Sequence, residues 1–195
     1  MENIKVKEYL QVAIEQHPYY KSLNEKILKE AHPLRFYPPK KNMYNTNIKG
    51  TQYNFRPGEE PDSVKVVLQW IKSLIPLYYD ITFSYSSNIG SDFVCRVDRK
   101  GDAISEGYSW LARYNKGDYT ESHDHNPATL SFVYFVKSPP GSSPLVFTSS
   151  GKKIKSEEGK VVIFPGTVWH HVPKNKCDGR MTYAGNIGLK SEGFS

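Results

Sequence analysis

Six histidines occur in the 195-residue chain. Four of them fall in two tight clusters, Ser122-His123-Asp124-His125-Asn126 and Val168-Trp169-His170-His171-Val172. On a β-strand, alternate residues share a face and stand about 6.6–6.8 Å apart. His123 and His125 can therefore point the same way and grip one metal ion from two sides, while Asp124 points away if the strand is regular. His170 and His171 are neighbours and face oppositely, so at most one of them reaches a shared ion. Neutral imidazole suits iron, zinc, copper and nickel. The oxygen cages of magnesium and calcium do not match this set. A structural zinc finger is not expected, because Cys95 and Cys177 stand alone rather than in CxxC pairs.

A second group with chemical potential follows Gly179. On a strand beginning there, Arg180, Thr182, Ala184, Asn186 and Gly188 share one face, which is small and polar with a cation at its edge. Met181, Tyr183, Ile187 and Leu189 form the opposite, apolar face. A guanidinium is a good bidentate partner for a carboxylate, and Thr182 can donate a hydroxyl beside it. Tyr114 shares a face with Tyr108, Trp110 and Ala112, which reads equally as a core stripe or as a wall of the same pocket. Leu130, Phe132 and Tyr134 read as core.

The elements that must hold these groups change character along the chain. Residues 2–31 carry helical spacing at Ile4, Leu10, Ala13 and Ile14, then at Leu23, Ile27, Leu28 and Ala31. His17-Pro18 and His32-Pro33 interrupt it, since proline disfavours helix at the residue before it, so two short helices are expected. Residues 33–61 have no period and read as an irregular loop with a short strand near 51–55. A connection of that length is uncommon unless it has a task, which makes it a candidate lid. Val64, Val67, Leu68, Ile71, Leu74 and Ile75 predict a helix over 62–75, capped by Asp62 or Ser63 and ended by Pro76. From 77 onward the period becomes two. Candidate strands are 77–84, 92–98, 106–115, 128–137, 144–148, 160–164, 167–172 and 180–189, separated by turn residues such as Lys100-Gly101-Asp102 and Cys177-Asp178-Gly179. The expected architecture is mainly β with N-terminal α-helices (α+β), an antiparallel jelly-roll barrel. Residues 1–76 would form a helical segment and lid loop packing on a barrel core of 77–195, one structural domain overall.

Composition sets the outer bounds. Apolar residues are 38% of the chain, but aromatics are 13% with 14 tyrosines, enough for a core of large rings. Charged residues at 24% exclude a wholly disordered chain. No apolar run approaches the roughly 20 residues of a membrane helix, and no signal peptide is evident, so no membrane partner is expected. Two cysteines cannot make a disulfide-dense scaffold, and reduced thiols in a cytoplasmic protein are the expectation. The net charge of +6 comes from Lys and Arg scattered among Glu and Asp. Nucleic acid is therefore not indicated as a partner.

Several segments, in order, resemble the prolyl 4-hydroxylase-like branch of the iron(II)- and 2-oxoglutarate-dependent oxygenases. Arg113-Tyr114-Asn-Lys-Gly117-Asp-Tyr119-Thr-Glu-Ser-His123-Asp-His125 is similar to the family's RYxxG…HxD segment. Gly159-Lys-Val-Val-Ile-Phe164-Pro165, followed by Trp169-His170-His171-Val172, is similar to its G…FP…HxV segment. Gly179-Arg180-Met181-Thr182 resembles its GR.S/T segment, and Arg180 lies ten residues past His170, where the family places its co-substrate cation. The likeness spans roughly 106–190 and is nearest to a branch whose first motif is HxH.

The resemblance implies a double-stranded β-helix and a metal site, with one departure: position 125 is His where the family carries Asp. Three readings follow. His123, His125 and His170 form a three-histidine site; or a bent loop lets Asp124 supply the carboxylate; or the site is degenerate. Strand alternation favours the first. A neutral third ligand leaves the site one charge more positive and still attractive to an anion. The resemblance further implies Fe(II), 2-oxoglutarate as small-molecule co-substrate, and O2. Arg180, Thr182 and Tyr114 would receive the distal carboxylate of 2-oxoglutarate, and oxidative decarboxylation to succinate would drive hydroxylation of a prolyl or other side chain in a peptide or protein substrate. Ligating histidines must be unprotonated, so activity is expected to fall below about pH 6.5.

Two rivals stand beside this reading. One is a cupin-like metal-binding protein without 2-oxoglutarate, since Gly117 followed by His123-x-His125 also fits a cupin first motif, although the glutamate expected after it is absent from 126–132. The other is a non-catalytic structural or assembly protein that kept the barrel and lost the chemistry.

Overall fold

The computed structural model describes residues 10–38, 47–56, 58–79, 96–97, 103–104, 109–126 and 128–187. A six-stranded antiparallel sheet forms the larger wall. Its strands are β1 (Ala13–Gln16), β2 (Thr51–Phe55), β5 (Ser109–Tyr114), β7 (Leu130–Lys137), β10 (Lys160–Pro165) and β12 (Arg180–Ile187), in the order β1-β10-β7-β12-β5-β2. A four-stranded sheet of β6 (Thr120–His123), β8 (Leu145–Phe147), β9 (Lys153–Ile154) and β11 (His170–Val172) faces it, in the order β6-β11-β8-β9. The strands β3 (Arg96–Val97) and β4 (Ala103–Ile104) pair with each other alone. Two helices, α1 (Tyr20–Ala31) and α2 (Asp62–Tyr78), cover the outer face of the larger sheet. Two facing antiparallel sheets closed around an interior, with helices outside, make the jelly-roll barrel expected from the strand pattern and the double-stranded β-helix implied by the resemblance.

Alternation along the strands of the larger sheet sorts their side chains into two cores. Leu111, Leu130, Phe132, Tyr134, Val161, Ile163, Met181 and Tyr183 point outward and pack with Ile27, Ala31, Val67, Ile71 and Ile75 of the helices. Ala112, Tyr114, Phe135, Val162 and Phe164 point inward and meet Leu145, Phe147 and Val172 of the smaller sheet. Each fully buried aliphatic side chain contributes roughly 1.5–3 kcal/mol, so the helix layer holds the larger sheet flat against its cover and leaves its inner face for the site. Leu130, Phe132 and Tyr134 are core, as expected. Tyr134 also donates its hydroxyl to Asn24 Oδ1 at 2.7 Å, and Asn24 Nδ2 donates to the Val136 carbonyl at 2.7 Å, pinning α1 to β7.

Three local expectations are corrected. Helical spacing at Leu10, Ala13 and Ile14 does not produce a helix there. Ala13–Gln16 pairs instead with β10 as an edge strand, because the free sheet edge satisfies its backbone groups; residues 1–9 lie outside the described residues. Pro76 does not end α2, which runs on to Tyr78. A proline in the last turn removes only its own N–H, and Tyr79 N–H still closes onto the Ile75 carbonyl at 2.9 Å. The start of the expected 77–84 strand is therefore helical, and its remainder from 80 lies outside the described residues. The strands β1, β6 and β9 fall at positions read from the sequence as helix or connection.

Candidate metal centre

The strands β6 and β11 run antiparallel and set His123 directly opposite His170. Facing residues on paired strands share one side of the sheet, so the two rings meet with centroids 4.3 Å apart. The register then shifts, and Val172 pairs with Thr120. Two steps along β11 are matched by three along β6, which is a β-bulge at Glu121 and Ser122. The extra residue lets Thr120 and His123 both face the barrel interior despite their odd separation.

His125 lies past the end of β6, and hydrogen bonds of its backbone fix its place. Its N–H donates to the Gly166 carbonyl at 2.7 Å, and its carbonyl accepts from Ala128 N–H at 2.8 Å. Gly166 N–H in turn donates to the Thr129 carbonyl at 3.0 Å. A Cβ at Gly166 would stand 2.1 Å from the Ala128 carbonyl oxygen, so glycine is what allows the two loops this approach. The His125 ring then sits 4.9 Å from His123 and 5.1 Å from His170, with Trp110 behind it at 5.8 Å.

One ligand nitrogen from each of these three histidines falls within 4.8 Å of the others. Asp124 is outside this group; its Oδ1 accepts from Asn126 N–H at 3.4 Å. His171 faces away, with Nδ1 3.1 Å from Thr148 Oγ1, which lies 2.7 Å from Ser122 Oγ.

The hydrogen bonds orient two of the rings. His123 Nδ1 donates to the Glu121 carbonyl at 2.8 Å, and His170 Nδ1 donates to the Val168 carbonyl at 2.9 Å. A carbonyl oxygen can only accept, so each Nδ1 carries the proton and each Nε2 keeps its lone pair. Burial also keeps the rings neutral. Desolvation, then the neighbouring His170 and His123, push His125 down to about 2. Desolvation and His123 push His170 down to about 3. His123 is lowered by desolvation, against smaller opposing effects of the Glu121 carbonyl and of Asp124. The threshold near pH 6.5 belongs to a solvated imidazole; in this site burial carries His125 and His170 well below it and lowers His123 as well.

Arg180 begins β12 opposite Tyr114 of β5. Its side chain is 1% exposed, and its Nε and Nη1 have no hydrogen-bond partner. The guanidinium lies 4.6 Å over the Tyr114 ring and 5.7 Å from that of Phe135, with no carboxylate of the described residues within 4.0 Å. Burial lowers its pKa, and Tyr114 partly opposes this. A buried cation with idle donors has the chemistry of an anion receptor. Thr182, 3% exposed, shares the strand face of Arg180. Tyr114 and Thr120 share a hydrogen bond between their hydroxyls at 2.8 Å.

Sequence reasoning did not single out Thr120 or Trp110's neighbour role. The strand carrying Thr120 was invisible because its bulge breaks the alternation that would have announced it. Thr120 ties the two ends of the interior together. It touches Tyr114 beside Arg180, and three residues along the same strand stands His123.

The fold is the double-stranded β-helix of 2-oxoglutarate/iron(II) oxygenases. No family model matches the sequence, and no curated protein matches it. Solved structures match over nearly its full length. A prolyl-4-hydroxylase of Pseudomonas putida superposes with a TM-score of 0.63 at 13% identity, covering 93% of this chain and 94% of its own. The viral collagen prolyl hydroxylase of Paramecium Bursaria Chlorella virus-1, in its 2OG complex, gives 0.59 at 14% identity over 89% and 94%. HygX of Streptomyces hygroscopicus, with nickel and 2-oxoglutarate bound, gives 0.58 at 11% identity over 93% and 84%. At these identities the likeness is one of fold. No helix among the described residues is long and apolar enough to cross a membrane.

Proposed function

We propose that this chain is an Fe(II)- and 2-oxoglutarate-dependent dioxygenase that hydroxylates a prolyl or other peptidyl side chain, with the segment before residue 77 supplying the covering helices and also the two edge strands β1 and β2 of the larger sheet. The observation that carries the reading is the pairing, inside one barrel, of three converging neutral imidazoles with a fully buried guanidinium that has no carboxylate partner among the described residues. His123, His125 and His170 fit a first-row transition metal, because all three are neutral nitrogen donors and two have Nε2 already turned free by their backbone hydrogen bonds. When bound, iron with 2-oxoglutarate and O2 supplies the oxidising equivalents for hydroxylation.

The chain's own residues do the remaining work. Arg180 receives the distal carboxylate of the co-substrate, and each charge-assisted hydrogen bond there contributes roughly 1.5–3 kcal/mol. Thr182 and Tyr114 present hydroxyls beside it. Phe147, Phe164 and Val172 keep the interior apolar and dry, which strengthens the ion pair that Arg180 forms. The prolyl substrate class follows the prolyl hydroxylases among the fold neighbours. The deciding experiment is succinate formation from 2-oxoglutarate with iron(II), with and without a panel of proline-containing peptides. Turnover in wild type and its loss in His170→Ala support the reading; equal succinate from both proteins removes it.

A further inference from the structure

We infer that His125, a neutral ligand where a carboxylate would complete the common donor set, makes this centre bind its metal and its dicarboxylate as one coupled event, with Arg180 transmitting the coupling. The inference rests on the metal and co-substrate roles proposed above and concerns their energetics.

Two histidines and a carboxylate reduce a divalent ion's charge by one. Three imidazoles reduce it by none. The buried Arg180 adds a further positive charge to the same interior, and no carboxylate of the described residues neutralises it. Asp124 is the nearby acid, and its charge is felt at His123. It remains outside the ligand group, engaged with Asn126, and a charge held there offsets less than one bound to the ion. Metal alone therefore enters an interior that already repels it. A dianion attracted at one end by the ion and at the other by the guanidinium relieves both repulsions together. Coupling of two ligands is reciprocal, so each must tighten the other by the same factor.

The test measures Ni(II) affinity of the full chain by calorimetry, with and without saturating 2-oxoglutarate, corrected for the metal–dicarboxylate complex in solution. In wild type, 2-oxoglutarate tightens Ni(II) at least tenfold, and Ni(II) tightens 2-oxoglutarate by the same factor. Chelation by the dicarboxylate contributes in any donor set, so His125→Asp isolates the charge effect. That variant binds Ni(II) more tightly than wild type without 2-oxoglutarate and shows a smaller coupling factor. Arg180→Met binds Ni(II) alone at least as tightly as wild type and shows a smaller coupling factor, the part due to chelation remaining. Equal coupling factors in wild type and His125→Asp overturn the inference while leaving the metal centre standing. So does 2-oxoglutarate binding that is indifferent to metal. Failure of wild type to bind Ni(II) overturns the functional reading with it.

Discussion

His123 and His170 are direct cross-strand partners on β6 and β11, their rings tilted by 51° with centroids 4.3 Å apart and each Nδ1 tied to the carbonyl two residues before it. The arrangement is prepared without an ion, so a metal should stabilise the fold rather than assemble it. At a hundredfold excess over its dissociation constant, a ligand that binds only the native state adds about 2.7 kcal/mol. For a chain of this length that is a rise in Tm of about 5–10 °C. Thermal denaturation with Ni(II) and then EDTA measures it. His170→Ala should lose the shift, whereas His171→Ala should keep it, because the neighbouring ring faces Thr148 on the other side of the sheet. Loss of the shift in both variants would point to a nonspecific effect.

Gly166 offers a way to move a ligand without mutating one. Its backbone holds His125 N–H, and a Cβ there meets the Ala128 carbonyl. Gly166→Ala should cost about 1–3 kcal/mol by overpacking and weaken metal binding roughly tenfold, as changes behind a ligand commonly do. Gly159→Ala is the control. It strains a glycine at φ 80° packed on Tyr20 at the start of α1, so it should lower stability and leave metal affinity alone. Urea denaturation beside a metal titration separates the two effects.

The alternation after Gly179 was legible because nothing interrupts it: Met181, Tyr183 and Ile187 lie under the helices and Arg180 and Thr182 lie inside. What was not legible depends on partners remote in sequence. Ala13–Gln16 is a strand because β10 offers it an edge, information its own spacing lacks. His123 and His125 come together by a different route from the strand alternation that suggested them. The strand stops at His123, and a loop pinned to Gly166 delivers His125. The bulge that turns Thr120 inward is set by register against β11 and has no residue signature of its own.

His17 predicts a pH dependence of stability. It is 8% exposed, its Nδ1 accepts from Tyr19 N–H at 3.2 Å, and its ring stands edge-on to Trp70 at 4.8 Å. Burial lowers its pKa from 6.5. The unfolded chain therefore takes up this proton before the folded one does. The contribution of His17 is fully present above about pH 6.5 and is lost as pH falls toward the lowered folded value. Other histidines titrate too, so the measurement is the difference between wild type and His17→Gln, followed by chemical denaturation from pH 7.5 down to pH 4.5. The wild-type advantage should shrink across that interval; a constant difference contradicts the account.

Arg180 should carry the opposite signature, a residue that costs stability while serving binding. Its charge is buried, two of its nitrogens are idle, and no carboxylate among the described residues pairs with it. Replacing buried ionic groups with apolar residues of similar volume is often stabilising by about 1–4 kcal/mol even where the charges are paired, and among the described residues the guanidinium has no acidic partner. Arg180→Met fills the same space between Tyr114 and Phe135 without the desolvation cost, so the protein free of metal and co-substrate should be more stable by about 1–3 kcal/mol. The same change removes the receptor for the distal carboxylate, so added 2-oxoglutarate should raise Tm in the presence of Ni(II) far less than it does in wild type. If the guanidinium were only a structural prop, its replacement would lower stability and leave that ligand-induced shift in place. Stability gained together with a diminished shift is an outcome that a merely structural arginine cannot produce.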